Sequence, residues 1–133
     1  MLVTSGRYFS EKELACSHCG VSAMDADFIK QIDLLRSHFG PMVITSGYRC
    51  KDHEIEKAKK RGPGAHTTGK AIDVAVDRGD AYRFLGLVFQ WHSPYEGEPS
   101  WNFTGIGINQ KGKQRFIHID TVTEGVRPTV WSY

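Results

Sequence analysis

The spacing of apolar residues predicts three helices. The first has an apolar residue at every third or fourth position, so these side chains line one face of a helix. This stripe consists of Phe28, Ile32, Leu35 and Phe39. Asp25 is suited to cap the start of the helix, and Gly40-Pro41 is suited to end it. A polar, exposed helix is predicted over residues 51–61, and the most apolar helix over residues 77–91, where it would pack against the sheet.

Four shorter segments have the apolar and β-branched character of strands. They are residues 42–46, 71–76, 104–109 and 114–119. The last two are joined through Lys111-Gly112-Lys113 and are expected to form a hairpin. A loop over residues 92–100, rich in proline, glycine and serine, precedes this hairpin. The order of elements favours an α+β fold with a small, mainly antiparallel sheet packed with helices.

Composition narrows the class of protein. The chain has 133 residues, 40% of them hydrophobic and 24% charged, which is enough apolar area for one domain over residues 1–133 without disulfide bonds. The 17 basic and 15 acidic side chains leave a net charge of +2, too small to attract nucleic acid or an anionic membrane. The sequence also lacks a signal-peptide pattern and any run of roughly 20 apolar residues that could span a bilayer. Because the signal-peptide pattern is absent, we expect synthesis in the cytoplasm. We also expect a monomer.

Two predicted strands carry aspartate or histidine opposite an aliphatic face. Because side chains alternate along a strand, Asp73 lies on one face and its isoleucine and valine neighbours lie on the other. In the same way, His118 and Asp120 share a face, about 7 Å apart, and the isoleucines beside them face the core. An ionised carboxylate in such a strand is costly to bury unless it is paired or bound to a metal.

His66, on the loop before the first of these strands, adds a third side chain of metal-ligand type. Together with Asp73 and His118 it matches a catalytic zinc site in ligand type and number, with one position left for water. Taken singly, the three residues better fit structural roles: a histidine that caps a loop, an aspartate paired with Lys70 or an arginine, and a hydrogen-bonded sheet histidine. Spacing alone leaves both interpretations open.

The three cysteines form a separate group with one histidine. Their odd number excludes a complete disulfide framework and favours a reducing compartment or a metal role. Cys16 and Cys19 have the spacing of a ligand pair, as do Cys50 and His53, and the four together could hold a structural zinc ion. The alternative is a set of unrelated thiols and a surface histidine, and His18 is a spare donor. Both interpretations stay open.

Three motifs follow one another along the chain. They are Ile44-Thr45-Ser46-Gly47-Tyr48-Arg49, His66-x2-Gly69-x3-Asp73 and His118-x-Asp120. In content and order they resemble the zinc D-alanyl-D-alanine carboxypeptidase and endopeptidase family, which cuts bacterial peptidoglycan and shares its fold with the hedgehog signalling domain. The resemblance extends from Phe9 to Trp131 and implies a hedgehog-like α+β fold and a zinc-dependent hydrolase.

The resemblance also implies a role for each matching residue. The zinc ligands would be His66, Asp73 and His118. Zinc would polarise the scissile carbonyl and make hydroxide available at neutral pH. Arg49 would bind a carboxylate or carbonyl group of the peptide, which suits a planar guanidinium, with Ser46 and Tyr48 as further substrate-binding residues. The alternative for Arg49 is an exposed loop position.

The chain departs from the better-known members at the general base. These members have a glutamate three residues before the last histidine ligand, where this sequence has Arg115. Asp120 is the predicted base because it shares a strand face with His118. Alternatively, Asp120 accepts a hydrogen bond from a ligand histidine and fixes its tautomer. The next candidates, all in the long loop, are His92, Glu96 and Glu98.

The leading functional prediction is a zinc peptidase acting on peptidoglycan stem peptides, either a carboxypeptidase or an endopeptidase. Without a signal peptide or a wall-binding module, it resembles a bacteriophage lysin or a tail-associated enzyme. A second prediction is a non-catalytic, metal-stabilised binding domain of the same fold. A third is a nucleic-acid-binding zinc module, which would use a basic run but leave the histidines and Asp73 unexplained. The basic run consists of Lys57, Lys59, Lys60 and Arg61.

Overall fold

The computed structural model describes residues 1–60, 62, 64–90 and 100–133. Within these residues the elements are β1 (Leu2–Val3), α1 (Glu11–Leu14), β2 (Met24–Asp25), α2 (Ala26–Phe39), β3 (Ile44–Ser46), α3 (Glu54–Lys57), a 3₁₀ turn (Ala65–Thr68), β4 (Ala71–Val74), α4 (Arg78–Phe89), β5 (Gly105–Asn109), β6 (Phe116–Asp120) and β7 (Thr129–Ser132). The fold is α+β, as predicted. No helix among the described residues is both long and apolar enough to cross a membrane.

Helix α2 forms where the apolar stripe predicted it. The Asp25 side chain accepts a hydrogen bond from the Phe28 N–H at 3.0 Å, which satisfies one of the free donors at the helix start. Gly40 ends the helix with a φ of 104°, in the region that favours glycine. The four residues of the stripe are buried and belong to one apolar core with α4 and the inner face of the sheet.

The main sheet has the strand order β3-β4-β6-β5-β7. The predicted hairpin of β5 and β6 is present, and the neighbouring strands from β3 to β5 run antiparallel. Strand β7, however, runs parallel to β5. The sheet is therefore mixed, which corrects the prediction of a mainly antiparallel sheet. The sequence did not indicate β7 because this edge strand has no fully buried position to mark it.

Strands β4 and β6 bring the polar residues of two motifs side by side. Asp73 pairs in register with His118, and Ala71 with Asp120. On the opposite face, the aliphatic residues of both strands have no exposed surface. They are Ile72, Val74, Ile117 and Ile119. The period-two alternation predicted from the sequence thus places one aliphatic face in the core and one polar face beneath the loops.

The predicted polar helix over residues 51–61 is mostly absent. Only Glu54–Lys57 are helical, and Arg61 lies outside the described residues. The prediction of an exposed helix is wrong for Glu56, which is 2% exposed. Its carboxylate accepts hydrogen bonds from the Lys59 ammonium and the Gly64 N–H. The residues after α3 therefore surround this carboxylate instead of continuing the helix. Helix α4 ends at Phe89, while Trp91 and the predicted loop up to residue 99 lie outside the described residues.

The burial of α4 predicts unequal effects for two phenylalanines of that helix. Phe84 has no exposed surface and packs edge to face on Phe39, with ring centroids 5.2 Å apart, whereas Phe89 is 54% exposed. Phe84→Ala should lower the free energy of unfolding by about 3–5 kcal/mol because it leaves a cavity in the core. Phe89→Ala should lower it by less than about 1 kcal/mol. Urea unfolding measures both values, and equal losses would contradict the packing of Phe84 against α2 in the core.

Candidate metal centre and substrate cleft

Three side chains of metal-ligand type meet over the polar face of β4 and β6. His66 comes from the 3₁₀ turn, Asp73 from β4 and His118 from β6. His118 Nδ1 lies 3.2 Å from His66 Nε2 and 3.1 Å from Asp73 Oδ1. The third edge, from His66 Nε2 to Asp73 Oδ1, is 3.3 Å. All three residues are between 3 and 6% exposed. The structure thus brings together the three residues that the resemblance predicted as ligands.

The triangle formed by these three atoms has the size required for one zinc ion. Nitrogen and oxygen ligands about 2.0–2.1 Å from a tetrahedral zinc ion lie about 3.3–3.4 Å from one another. The observed edges of 3.1–3.3 Å are close to this spacing. Two imidazole nitrogens and a carboxylate oxygen are also donors that zinc accepts. Both the donor set and its spacing therefore fit zinc.

Each histidine is held by a hydrogen bond at its other ring nitrogen. His66 Nδ1 lies 2.8 Å from the Gly47 carbonyl oxygen, and His118 Nε2 lies 2.7 Å from Asp120 Oδ2. Such contacts fix the orientation of an imidazole and leave the opposite nitrogen free for a metal. The nitrogens that remain are the two that belong to the triangle.

The position of Asp120 argues against its predicted role as general base. Asp120 has no exposed surface and accepts hydrogen bonds from Arg127 at 2.8 and 3.0 Å as well as from His118. Its carboxylate contacts the ring nitrogen of His118 that faces away from the triangle. Burial raises the pKa of Asp120, but the bonds from His118 and Arg127 outweigh burial and hold it below its usual value. This geometry fits the alternative, in which Asp120 orients a histidine.

Burial and the carboxylates of Asp73 and Asp120 together govern the ionisation of the triangle. Burial lowers the pKa of His118, but hydrogen bonds to Asp120 and Asp73 raise it more, so its net pKa is above the usual value. His66 is affected mainly by burial, which lowers its pKa. Burial raises the pKa of Asp73, and the bonds from the two histidines reverse this and lower it. Because a histidine ligand binds a metal in its neutral form, protonation of His118 and metal binding at the triangle compete.

Arg49 is fixed on the second oxygen of Asp73. Its guanidinium donates to Asp73 Oδ2 at 3.3 Å, to Glu56 at 2.9 Å and to Ser46 Oγ at 2.9 Å. The side chain is 11% exposed, so Arg49 is not an exposed loop residue. Three of its five N–H donors are engaged by these groups. Asp73 Oδ1 is left to face the histidines.

Sequence reasoning missed Glu56, which holds Arg49 in place. Burial raises the pKa of Glu56, but the Gly64 N–H, Lys59 and Arg49 together lower it to about 2. Glu56 is therefore a buried anion with two cationic partners. A glutamate within a run of charged residues has the pattern of an exposed surface, so the sequence carried no signal for this role.

Two cavities open beside the triangle. One, of about 460 Å³, is lined by Arg49, Ile55, Lys59, Ala65, His66, Asp73, Phe116, His118, Arg127, Trp131 and Tyr133. A second, of about 740 Å³, shares Arg49, Ile55, Asp73 and Phe116 with the first and continues past Ser46, Lys113 and Arg115. Tyr48 lines neither of these two cavities and packs against the core instead. The two cavities share four lining residues and both have basic side chains on their walls, and together they are called the cleft below.

Two glycines of β5 leave space for the side chains of Asp120 and Trp131. A Cβ atom at Gly105 would collide with the carboxylate of Asp120, and one at Gly107 would lie 2.7 Å from the Trp131 ring. The Trp131 ring therefore lies over β5 with its centroid 5.0 Å from that of His118. Arg127 stacks on Trp131 at 5.1 Å. Neither Arg127 nor Trp131 was assigned a role from the sequence, because the segment after β6 has no motif or periodicity.

The cysteines also cluster, but without His53. Suitable ligand atoms of Cys16, Cys19 and Cys50 lie within 4.8 Å of one another. Burial raises the pKa of the Cys16 thiol, but backbone N–H groups, first that of Cys50, outweigh burial and lower it to about 7. His53 Nδ1 accepts a hydrogen bond from the Ile55 N–H at the start of α3. The predicted four-residue set is therefore reduced to three cysteines in this structure.

The remaining candidates for the general base lie outside the described residues. They are His92, Glu96 and Glu98.

Comparison with known families agrees with the motifs and the geometry. The family model for peptidase M15 matches residues 7–120, a range that includes His66, Asp73, His118 and Arg49. No curated protein and no solved structure gives a significant match. The chain belongs to the peptidase M15 family, the family of the zinc D-Ala-D-Ala carboxypeptidases.

Proposed function

We propose that this protein is a zinc peptidase that hydrolyses peptide bonds in the stem peptides of bacterial peptidoglycan, as a D-Ala-D-Ala carboxypeptidase or an endopeptidase. The observation that carries the proposal is the buried triangle of His66 Nε2, Asp73 Oδ1 and His118 Nδ1 at the floor of a cleft. Membership of a peptidase family supports the same reaction class. The hedgehog-like fold and a setting as a phage lysin or tail-associated enzyme are part of this proposal.

His66, Asp73 and His118 would hold the zinc ion. When bound, zinc supplies Lewis-acid polarisation of the scissile carbonyl and lowers the pKa of water. The chain contributes rigid placement of the ligands. The Gly47 carbonyl orients His66, and Arg49 holds one oxygen of Asp73 while the other faces the histidines.

Asp120 acts in this proposal as a positioning residue. Its carboxylate bridges His118 and Arg127, so the ring of His118 is held from a fully buried side of the site. A base must reach the attacking water, and both oxygens of Asp120 are engaged on the far side of the ring. The base is then left to another group, with His92, Glu96 and Glu98 of the long loop as the candidates.

The walls of the cleft favour a substrate that carries carboxylates. Arg49 and Arg127 line the cavity at the triangle, and Lys113 and Arg115 line its continuation. Arg115 stands where the better-known members have glutamate, so this chain adds a positive charge to the cleft at the place where they have a negative one. Stem peptides bear free carboxylates, which guanidinium groups bind well.

Digestion of purified peptidoglycan tests the proposed reaction. Wild-type protein should release new peptide ends, detected by mass spectrometry, and a chelator should stop the release until zinc is restored. His118→Ala should lose both the activity and about one zinc ion per chain, because three protein ligands are reduced to two. His38→Ala is the matched control, since His38 lies beside Trp101 rather than in the triangle. A zinc-loaded wild type that cleaves nothing would favour a non-catalytic binding domain.

Asp120→Asn separates the two roles of this carboxylate. As a positioning residue, Asp120 holds His118 as a ligand, so the variant should bind zinc about 10–100-fold more weakly. Its turnover at saturating zinc should stay within a few-fold of wild type. Zinc competition assays and kinetics at several zinc concentrations measure the two quantities. A variant with normal zinc affinity whose turnover falls by about 10²-fold or more would restore Asp120 as the base.

Arg49→Lys tests substrate binding by the guanidinium. A lysine has a single ammonium and cannot keep three directed hydrogen bonds while it binds a carboxylate, so KM should rise about tenfold. Turnover should also fall if the contact strengthens in the transition state. Arg78→Lys is the control, because the Arg78 side chain is 80% exposed. Unchanged kinetics in Arg49→Lys would remove Arg49 from the substrate site.

A further inference from the structure

We propose that Cys16, Cys19 and Cys50 form a second metal site, a thiolate site for Zn²⁺ that is separate from the proposed peptidase centre. Cys16 and Cys19 flank a turn after α1, and Cys50 follows Arg49 in the segment after β3. A metal ion bound here would join the N-terminal arm, residues 1–20, to that segment. This site stands whether or not the protein is a peptidase.

The spacing of the sulfurs fits a metal better than a disulfide bond. Cys16 Sγ lies 3.8 Å from Cys50 Sγ. Two thiolates about 2.3 Å from one tetrahedral zinc ion lie about 3.8 Å apart, whereas a disulfide bond is about 2.05 Å long. The ligand atom of Cys19 lies within 4.8 Å of the other two. A disulfide bond joins two sulfurs, whereas three cysteine sulfurs lie close together here.

The backbone prepares the turn that carries the first two cysteines. The Gly20 N–H donates to the Cys16 carbonyl at 2.8 Å, which closes the turn. Gly20 has a φ of 74°, a conformation that other residues rarely adopt. The Cys50 N–H donates to Cys16 Sγ at 3.3 Å. A hydrogen bond to sulfur stabilises the thiolate, which is the form that binds a metal.

His53 is not required as a ligand. Its Nδ1 accepts from the Ile55 N–H at 3.1 Å, and its Nε2 lies 2.9 Å from Ser17 Oγ. Both ring nitrogens therefore have hydrogen-bond partners. The protein would supply three thiolates, and the fourth position of a tetrahedral site would be left to a further donor such as water.

A metal ion at this site would stabilise the segment after β3, which contains Arg49 and contacts His66. The Tyr48 N–H donates to the Leu14 carbonyl at 2.9 Å, and the Arg49 N–H donates to the His66 carbonyl at 3.2 Å. A Cβ atom at Gly47 would lie 2.6 Å from the Leu14 carbonyl, so the arm and this segment are in direct backbone contact. A metal ion bound by the cysteines would stabilise this contact between the N-terminal arm and the segment after β3.

The test uses His118→Ala as the background, so that zinc at the proposed peptidase centre does not contribute. Protein purified with zinc and reductant should retain about one tightly held zinc ion per chain. Cys19→Ser in this background should weaken zinc binding by about 100-fold or more, measured by competition with a chromophoric chelator. Because Cys19 is exposed, this substitution should leave the fold intact, which circular dichroism checks.

Cobalt substitution identifies the ligands directly. Co²⁺ bound by the background protein should give sulfur-to-cobalt charge-transfer absorption, which Cys19→Ser and Cys50→Ser should reduce. Ser10→Ala is the matched control, since it removes the cap of α1 in the same arm but no thiol. The absence of this absorption, or its loss in Ser10→Ala as well, would overturn the proposal. A Cys16–Cys50 disulfide that persists in zinc-treated protein would also overturn it.

The failure of one proposal can be distinguished from the failure of the other. If the peptidase centre binds no zinc, wild type and His118→Ala hold equal zinc and both keep the charge-transfer absorption. If the cysteines bind no zinc, the His118→Ala substitution removes the bound zinc, and neither protein shows the charge-transfer absorption.

Discussion

The buried carboxylate of Asp73 constrains everything around it. An ionised carboxylate inside a sheet is tolerated only when cationic or hydrogen-bonding groups surround it. Here one oxygen faces His66 and His118, and the other is held by Arg49. These partners come from three separate segments of the chain, so each segment must be folded before the charge can be buried. The same carboxylate that is costly to bury thus determines where three loops and strands meet.

Further contacts hold each of these partners of Asp73 in place. Arg49 is anchored by Glu56, and His66 by a backbone carbonyl. His118 is anchored by Asp120, which in turn accepts hydrogen bonds from Arg127. Positive and negative groups alternate outward from Asp73 into the protein. Because each group is satisfied by the next, the site keeps its geometry without help from a substrate.

The sequence predicted the parts of the site that depend on local periodicity. Alternation along β4 and β6 placed Asp73, His118 and Asp120 on one face, and the stripe of α2 predicted its burial. The role of Asp120 could not be chosen from the sequence, because both roles require the same strand face and differ only in the direction of the carboxylate. Glu56 and Arg127 had no signal, because a charged residue seven positions from its partner, Arg49 or Asp120, has no pattern that marks it as paired. Strand β7 was missed because an edge strand needs no buried alternation.

Gly107 determines how far the wall of the cleft lies from His118. Because this position has no side chain, the Trp131 ring occupies the space above β5 and forms a wall beside His118. A larger residue at 107 would push the ring into the cleft, while a smaller one at 131 would leave a hole over the strand. The width of the cleft beside His118 is thus encoded by two positions on neighbouring strands. A substitution at either position alone would therefore change the width of the cleft next to His118.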